Sequence, residues 1–256
     1  MSVKITILGC GSSLGNPRVD GYFGNCDPKI KKNYRTRCSA LISSKNINLL
    51  IDTSPDIKFQ LLKNKIKKID GVFYTHPHAD QTHGINELRA FYLQNKKKIP
   101  IYADYSTEKY LKKTFEYCFK KSDNYPAILK MNKLKQITSC GTNRQINMRS
   151  IVVKHGSIKS ICFVINNKCI YAPDVNYIYS KDLKYFKNIK YLIIDCLRYK
   201  HHPTHFNLED VLNLVKIINP KKTILTNMNN EIDYNEIKKK IPNNIIPAYD
   251  GLSLLI

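Results

Sequence analysis

The sequence predicts an α/β protein in which two β-sheets pack face to face and helices cover the outside, a four-layer αβ/βα arrangement. Three observations carry that expectation. Strand-length apolar runs occur in both halves of the chain, with helical patterns between them. His76, His155, Asp174, Asp195, His205 and Asn229 each fall at or just past the C-terminal end of an apolar strand, or at the helix start beside one. A site at one rim of a sandwich would gather such residues from far apart in the chain. At 256 residues the chain is also long enough to bury a sizeable core, and no linker, repeat or low-complexity stretch divides it, so one domain over 1–256 is expected.

The elements follow from period and punctuation. Residues 3–8 alternate and run into the glycine-rich loop 9–15, which is a turn without the Gly-Lys-Ser/Thr of a phosphate-binding P-loop. Residues 16–37 are polar and aromatic, a loop long enough to be functional, and Arg18, Arg35 and Arg37 in it are candidates to receive an anionic substrate group through their planar forks. Residues 39–44 and 48–53 form a hairpin turned at Lys45-Asn46, and Ser54-Pro55-Asp56 reads as a helix start. Asp52, at that strand end, is a candidate acceptor for a metal-binding histidine, or else a turn residue.

A strand over 69–75, a helix over 85–95, a strand over 99–104 and a helix from Ser106 come next. The segment 120–145 has little periodicity and reads as a connecting insertion with short strands. In the second half, strand 148–154 ends at His155-Gly156, and a hairpin over Asn166-Asn167 ends at Pro173-Asp174. Strand 190–194 ends at Asp195, and His205 leads into the helix from Leu208. Strand 222–226 ends at Asn227-Met-Asn229, a helix covers 234–240, and 245–256 holds two closing strands.

Composition narrows the setting. No run reaches the ~18 apolar residues of a membrane span, and the start is a strand and not a signal peptide, so a cytoplasmic protein with no membrane partner is expected. The eight cysteines are widely spaced, without a Cys-x-x-Cys pair, and read as buried thiols in a reducing compartment. The net charge of +22 favours polyanions or phosphorylated substrates. A lysine excess accompanied by many Ile and Asn residues also follows from A/T-rich codon usage, so charge alone assigns no partner.

The chemistry concentrates between Tyr74 and Gly84. Three of the seven histidines and an aspartate lie within eight positions there, at the end of a buried strand. Imidazoles two apart on a tight turn, His76 and His78, can present nitrogens to one cation, and Asp80 can reach a neighbouring ion or a bound water. A borderline metal held this way lowers the pKa of its water to about 7, which makes hydroxide available at neutral pH and predicts hydrolysis. His83 lies two past Gln81, where residues do not share a helix face, and reads as structural. The aromatics at 91, 92, 115 and 117 read as core.

This stretch resembles the His-x-His-x-Asp-His signature of the metallo-β-lactamase superfamily. Lys154-His-Gly156, Ala172-Pro-Asp-Val175, the His205 segment and Leu225-Thr-Asn-Met-Asn229 occur in the family's order, so the resemblance covers nearly the whole chain. It is most similar to the branch that includes the phosphoribosyl cyclic phosphodiesterase of phosphonate degradation, with tRNase Z more distant. The resemblance implies that His76, His78 and His155 hold a first metal, that Asp174 bridges to a second which Asp80 binds, and that His205 protonates the leaving oxygen, His201 and His202 being close competitors. Asp80 and His205 would then be the catalytic pair.

The chain departs from the family where the second metal would have two histidines, with Gln81 in one place and Asn229 assigned to the other. Amide oxygens are weak ligands for Zn and acceptable to harder ions such as Mn. The expectation is one tightly bound Zn or Mn, with a second site weak or absent and Gln81 and Asn229 as its weak ligands. That branch also uses a cysteine cluster for a structural zinc. Here the loop holds only Cys26 and Cys38, so none is expected. The chain is thus expected to be a phosphodiesterase acting on a small or cyclic phosphate ester. The alternatives are a nucleic-acid-directed metallo-nuclease and a non-catalytic metal or nucleotide binder. Homodimerisation is left open.

Overall fold

Alternate side chains of each strand in the first half of the chain face opposite ways, and both faces are apolar. Strands β1 (Lys4–Gly9), β2 (Ser39–Ser44), β3 (Ile47–Ile51) and β4 (Gly71–Phe73) send Ile5, Ile7, Ala40, Ile42, Leu49, Ile51 and Phe73 into one core. They send Leu8, Leu41, Leu50 and Val72 into another. Strands with two buried faces need cover on both sides, and a helix layer on one side and a second sheet on the other provide it. The computed structural model, which describes residues 2–122, 125–141 and 146–256, shows this sandwich.

The first sheet has the order β14-β1-β2-β3-β4-β5-β6, completed by β5 (Ile99–Ala103), β6 (Leu129–Lys133) and β14 (Ser253–Leu255). Strands β3 to β6 run parallel and the remainder antiparallel. Its outer face is covered by α1 (Ile57–Lys63) and α4 (Tyr105–Thr114) through Ile57, Leu61 and Leu111. Short helices α2 (Ala79–Thr82), α3 (Arg89–Asn95) and α5 (Glu116–Phe119) complete this half. Among the aromatics expected in the core, Phe115 is buried, whereas Tyr117 is 42 % exposed, its hydroxyl reaching Asn86 at the surface.

The second sheet repeats the pattern in the order β13-β12-β11-β10-β9-β8-β7. Its strands are β7 (Ile137–Cys140), β8 (Ile146–His155), β9 (Ile158–Ile165), β10 (Cys169–Ala172), β11 (Tyr191–Asp195), β12 (Lys222–Thr226) and β13 (Ile245–Pro247). Here β10 to β13 are parallel. Helix α6 (Leu208–Ile218) buries Val211, Leu214, Val215 and Ile218 against it, and α7 (Tyr234–Lys240) buries Ile237. The sheets meet where the Phe73 ring stands edge-on to Phe163, centroids 5.6 Å apart.

The segment 120–145, expected as an insertion, supplies the last strand of each sheet, β6 to the first and β7 to the second. Its positions 123, 124 and 142–145 lie outside the described residues. The two closing strands also part company, β13 joining the second sheet and β14 the first. Asp250 between them accepts from Cys10 N, Thr36 N and Thr36 Oγ1, which ties the N-terminal loop to the chain's end. The eight cysteines are free thiols, and all except Cys140 are buried. Among the described residues no helix is long and apolar enough to cross a membrane.

Candidate metal centre

Parallel strands place their C-terminal ends at one rim, and the loops leaving β4, β8, β10, β11 and β12 meet there. Strand β4 delivers Tyr74 to His78 directly into helix α2. Thr75 donates its backbone N–H to Asp52 Oδ1 (2.8 Å) and its hydroxyl to Asp52 Oδ2 (2.9 Å), and Thr75 Oγ1 lies 3.0 Å from His76 Nδ1. With its own proton committed to Asp52, the hydroxyl accepts from Nδ1–H, which leaves Nε2 of His76 as the lone-pair nitrogen. Asp52 therefore acts on His76 through Thr75 and not by direct contact. Its φ of 62° is a left-handed turn that aspartate tolerates.

His155 ends β8 and is followed by Gly156 at φ 61°. A Cβ at Gly156 would sit 2.4 Å from Thr204 Cγ2, so glycine lets the Thr204 loop approach and accept from His155 Nδ1 at 2.8 Å. His76 Nε2 and His78 Nδ1 face each other at 2.9 Å. The three rings of His76, His78 and His155 pack with centroids 4.6, 5.0 and 5.1 Å apart, and one ligand nitrogen from each falls within 4.8 Å of the others.

Electrostatics suit these rings to hold a cation. Burial first, and then the neighbouring imidazoles, hold His76 well below its ordinary pKa. Burial and then His205 bring His155 down to about 4. Both rings are neutral at pH 7 and offer lone pairs. Asp174 and Asp80 are pushed in the opposite direction, Asp174 by burial and then by the charges of Asp80 and Asp195, Asp80 by burial. Uncharged imidazoles beside crowded carboxylates form a site short of positive charge, which a divalent cation satisfies. The residues present fit such an ion.

His205 stands on the other side of the pocket, its ring 4.6 Å from that of His155. Its Nδ1 lies 2.7 Å from Asp195 Oδ2. Burial works against the imidazolium, but the charge and hydrogen bond of Asp195 outweigh it, and the His205 pKa is raised. Burial also raises Asp195. It nonetheless accepts from Val175 N (3.0 Å), His205 and Asn227 Nδ2 (3.3 Å), the acceptor pattern of a carboxylate. The backbone pins the segment, with Phe206 N donating to Val175 O and Leu197 N to Phe206 O. Two residues on, Asn207 and Asp210 form a capping box that starts α6, a device worth about 1 kcal/mol.

His78, Asp80, His155, Asp174 and His205 line a cavity of about 560 Å³, with Ser12, Ser13, Arg18, Arg198 and His202 around its mouth. His202 keeps its Nδ1 on Thr204, and His201 does not line the cavity. His83 faces away, bonded to the Tyr110 hydroxyl at 2.9 Å.

Three sequence expectations need correction. Arg35 is 1 % exposed, and its guanidinium donates to Ile232 O and Asn229 O at 2.9 Å each, so it knits loops and receives no substrate. Arg37 forms a two-pronged ion pair with Asp56, both contacts 2.8 Å, and does not line the cavity. Only Arg18 of the three reaches the mouth, where it pairs with Asp20 and stacks on Tyr22. Third, Asn229 lines the cavity but its amide is engaged by Glu231, accepting from that residue's N–H at 2.9 Å and donating to its carboxylate. The amide beside Asp174 belongs to Asn227, whose Nδ2 is 3.2 Å from Asp174 Oδ1.

Sequence reasoning passed over Asn227 and gave Asp195 no role beyond its strand-end position. The available signal was that both directly end or follow a buried strand, as the histidines do.

Fold and site together define a metal-dependent hydrolase. The family model described as the β-lactamase superfamily domain matches residues 47–228, and the chain belongs to that superfamily. A diphosphatase of the PhnP family superposes with a TM-score of 0.89 at 27 % identity, over 100 % of this chain and 98 % of its own. Human tRNase Z, short form, gives 0.70 at 18 % identity, over 98 % of each chain, a likeness of fold. An octanoyltransferase of Porphyromonas gingivalis is 26 % identical over 99 % of this chain, which spans 52 % of that relative's length.

Proposed function

We propose that this chain is a metal-dependent phosphodiesterase acting on a small cyclic or diphosphate-linked ester bound in the 560 Å³ cavity. The observation that carries the reading is the pairing, across one cavity, of the His76, His78 and His155 cluster with a His205 whose Nδ1 is held 2.7 Å from Asp195 Oδ2. The likeness to the PhnP-family diphosphatase supports the substrate class. The octanoyltransferase name belongs to a protein nearly twice as long as the match and is not carried over.

His76, His78 and His155 would hold a single tightly bound Zn or Mn, with Asp174 at its side. When bound, such an ion draws charge from a phosphoryl oxygen and makes water a stronger nucleophile at neutral pH. The protein's own groups do the remainder. Asp195 fixes the His205 ring through Nδ1, which leaves Nε2 to give its proton to the leaving oxygen. Asp80, lining the cavity, would orient an attacking water. Arg18 and Arg198 at the mouth draw in an anionic ester. The free thiols fit a cytoplasmic setting.

Turnover of bis(4-nitrophenyl) phosphate by protein loaded with Zn or Mn tests the reading. Release of nitrophenolate that depends on the added ion is expected, and no turnover with either ion defeats it. The net charge of +22 favours a second reading, a nuclease. RNA binding that falls steeply with salt, together with RNA cleavage, would select it.

A further inference from the structure

We infer that the side-chain amides of Gln81 and Asn227 take the place of a second cation, so that this centre is built for one ion. The inference rests on the metal-hydrolase reading above.

Asp80 and Asp174 are the carboxylates that a second ion beside the imidazole triad would need. The structure supplies their oxygens with hydrogens instead. Gln81, fully buried, donates from Nε2 to Asp80 Oδ2 and to Asp174 Oδ2, both at 3.1 Å. Asn227, equally buried, directs Nδ2 to Asp174 Oδ1 at 3.2 Å and to Asp195 Oδ1 at 3.3 Å. Both oxygens of Asp174 thus carry an N–H, and a cation between Asp80 and Asp174 would meet donor hydrogens where it needs lone pairs.

The amides are not poised to turn over. Gln81 Oε1 is buried and has no partner. Leaving one acceptor unpaired is a loss, but reversing the amide would break two charge-assisted hydrogen bonds, the stronger kind, and set Oε1 against two carboxylate oxygens. Asn227 Oδ1 is 3.9 Å from the Cys38 thiol, which donates to it, and reversal would lose that contact together with both carboxylates. Even reversed, each side chain offers one neutral oxygen, a poor match for the borderline ions that the imidazoles select.

Metal per chain, measured by plasma mass spectrometry after loading with excess Zn and removal of free ion, tests this on the intact protein. The wild type is expected to hold one ion, and Q81H/N227H two. The single variants Q81H and N227H are loaded alongside, with thermal melting to confirm the fold, and the wild-type count stands independently should the double variant fail to fold. Two ions in the wild type overturn the inference and leave the hydrolase reading intact. One ion in a folded Q81H/N227H also overturns it. No ion in the wild type overturns the reading beneath and the inference with it.

Discussion

Nδ1 of His205 lies 2.7 Å from Oδ2 of Asp195, and these two residues, ten apart in sequence, are the end of β11 and a position in the loop that follows it, held by Val175 N on the Asp195 carboxylate and by the Phe206 N to Val175 O backbone bond. The pair fixes which nitrogen of His205 faces substrate. His205→Gln is expected to lower kcat by roughly 10²- to 10⁴-fold, the range for loss of a positioned proton donor, with metal content unchanged. Asp195→Asn keeps the shape but removes the charge that favours the imidazolium, and should lower kcat more than it alters KM. Steady-state kinetics beside elemental analysis checks both. A His205→Gln enzyme of normal kcat would remove the residue from the mechanism.

Convergence of three imidazoles, of which His76 and His155 are buried, makes folding and metal binding linked equilibria. Zinc at 100 times its dissociation constant should stabilise the wild type by about 2.7 kcal/mol. His155→Ala should lose most of that gain. Thermal melts with and without ion, in chelator-treated buffer, give the answer. Equal shifts in the two proteins would mean that the ion binds elsewhere.

Thr75 stands between Asp52 and His76. Thr75→Val has nearly the same volume but no hydroxyl, so His76 loses the acceptor that orients its ring. Metal affinity should fall about 10- to 100-fold, as for other supporting partners of ligand histidines, which chelator competition would reveal. Unchanged affinity would show that packing alone orients His76.

Asp233 clamps the N-terminal loop to the end of the chain. It accepts from Asp27 N, Asn33 Nδ2, Asn235 N and Glu236 N. Burial raises its pKa, but these hydrogen bonds outweigh burial and the net shift is downward. A carboxyl depressed in the folded state stabilises above its unfolded pKa of about 3.9, and the contribution disappears as pH falls through the folded value. Asp233→Ala should cost about 1–3 kcal/mol near neutrality, with the gap to wild type closing in acid below that range. Urea melts at several pH values measure it, and a gap that widens in acid would contradict the assignment.

What the chain determines locally is what its sequence displays. Two-residue alternation in β1 to β4 and the helical period of α6 mark buried faces, because side-chain direction there follows from backbone repeat alone. The turn from His76 to Asp80 is legible for the same reason, its donors being too close in sequence to miss one another. Directions beyond a strand end obey no such repeat. Asn227 sits at φ 59°, a left-handed residue that turns its amide to Asp174, while Asn229, two residues on, is drawn to Glu231. Arg35 and Arg37 share charge and loop, yet the carbonyls of Ile232 and Asn229 claim one and Asp56 the other. Such choices depend on partners as many as 197 residues away, so only the packed sandwich decided which amides, carboxylates and arginines reach the cavity.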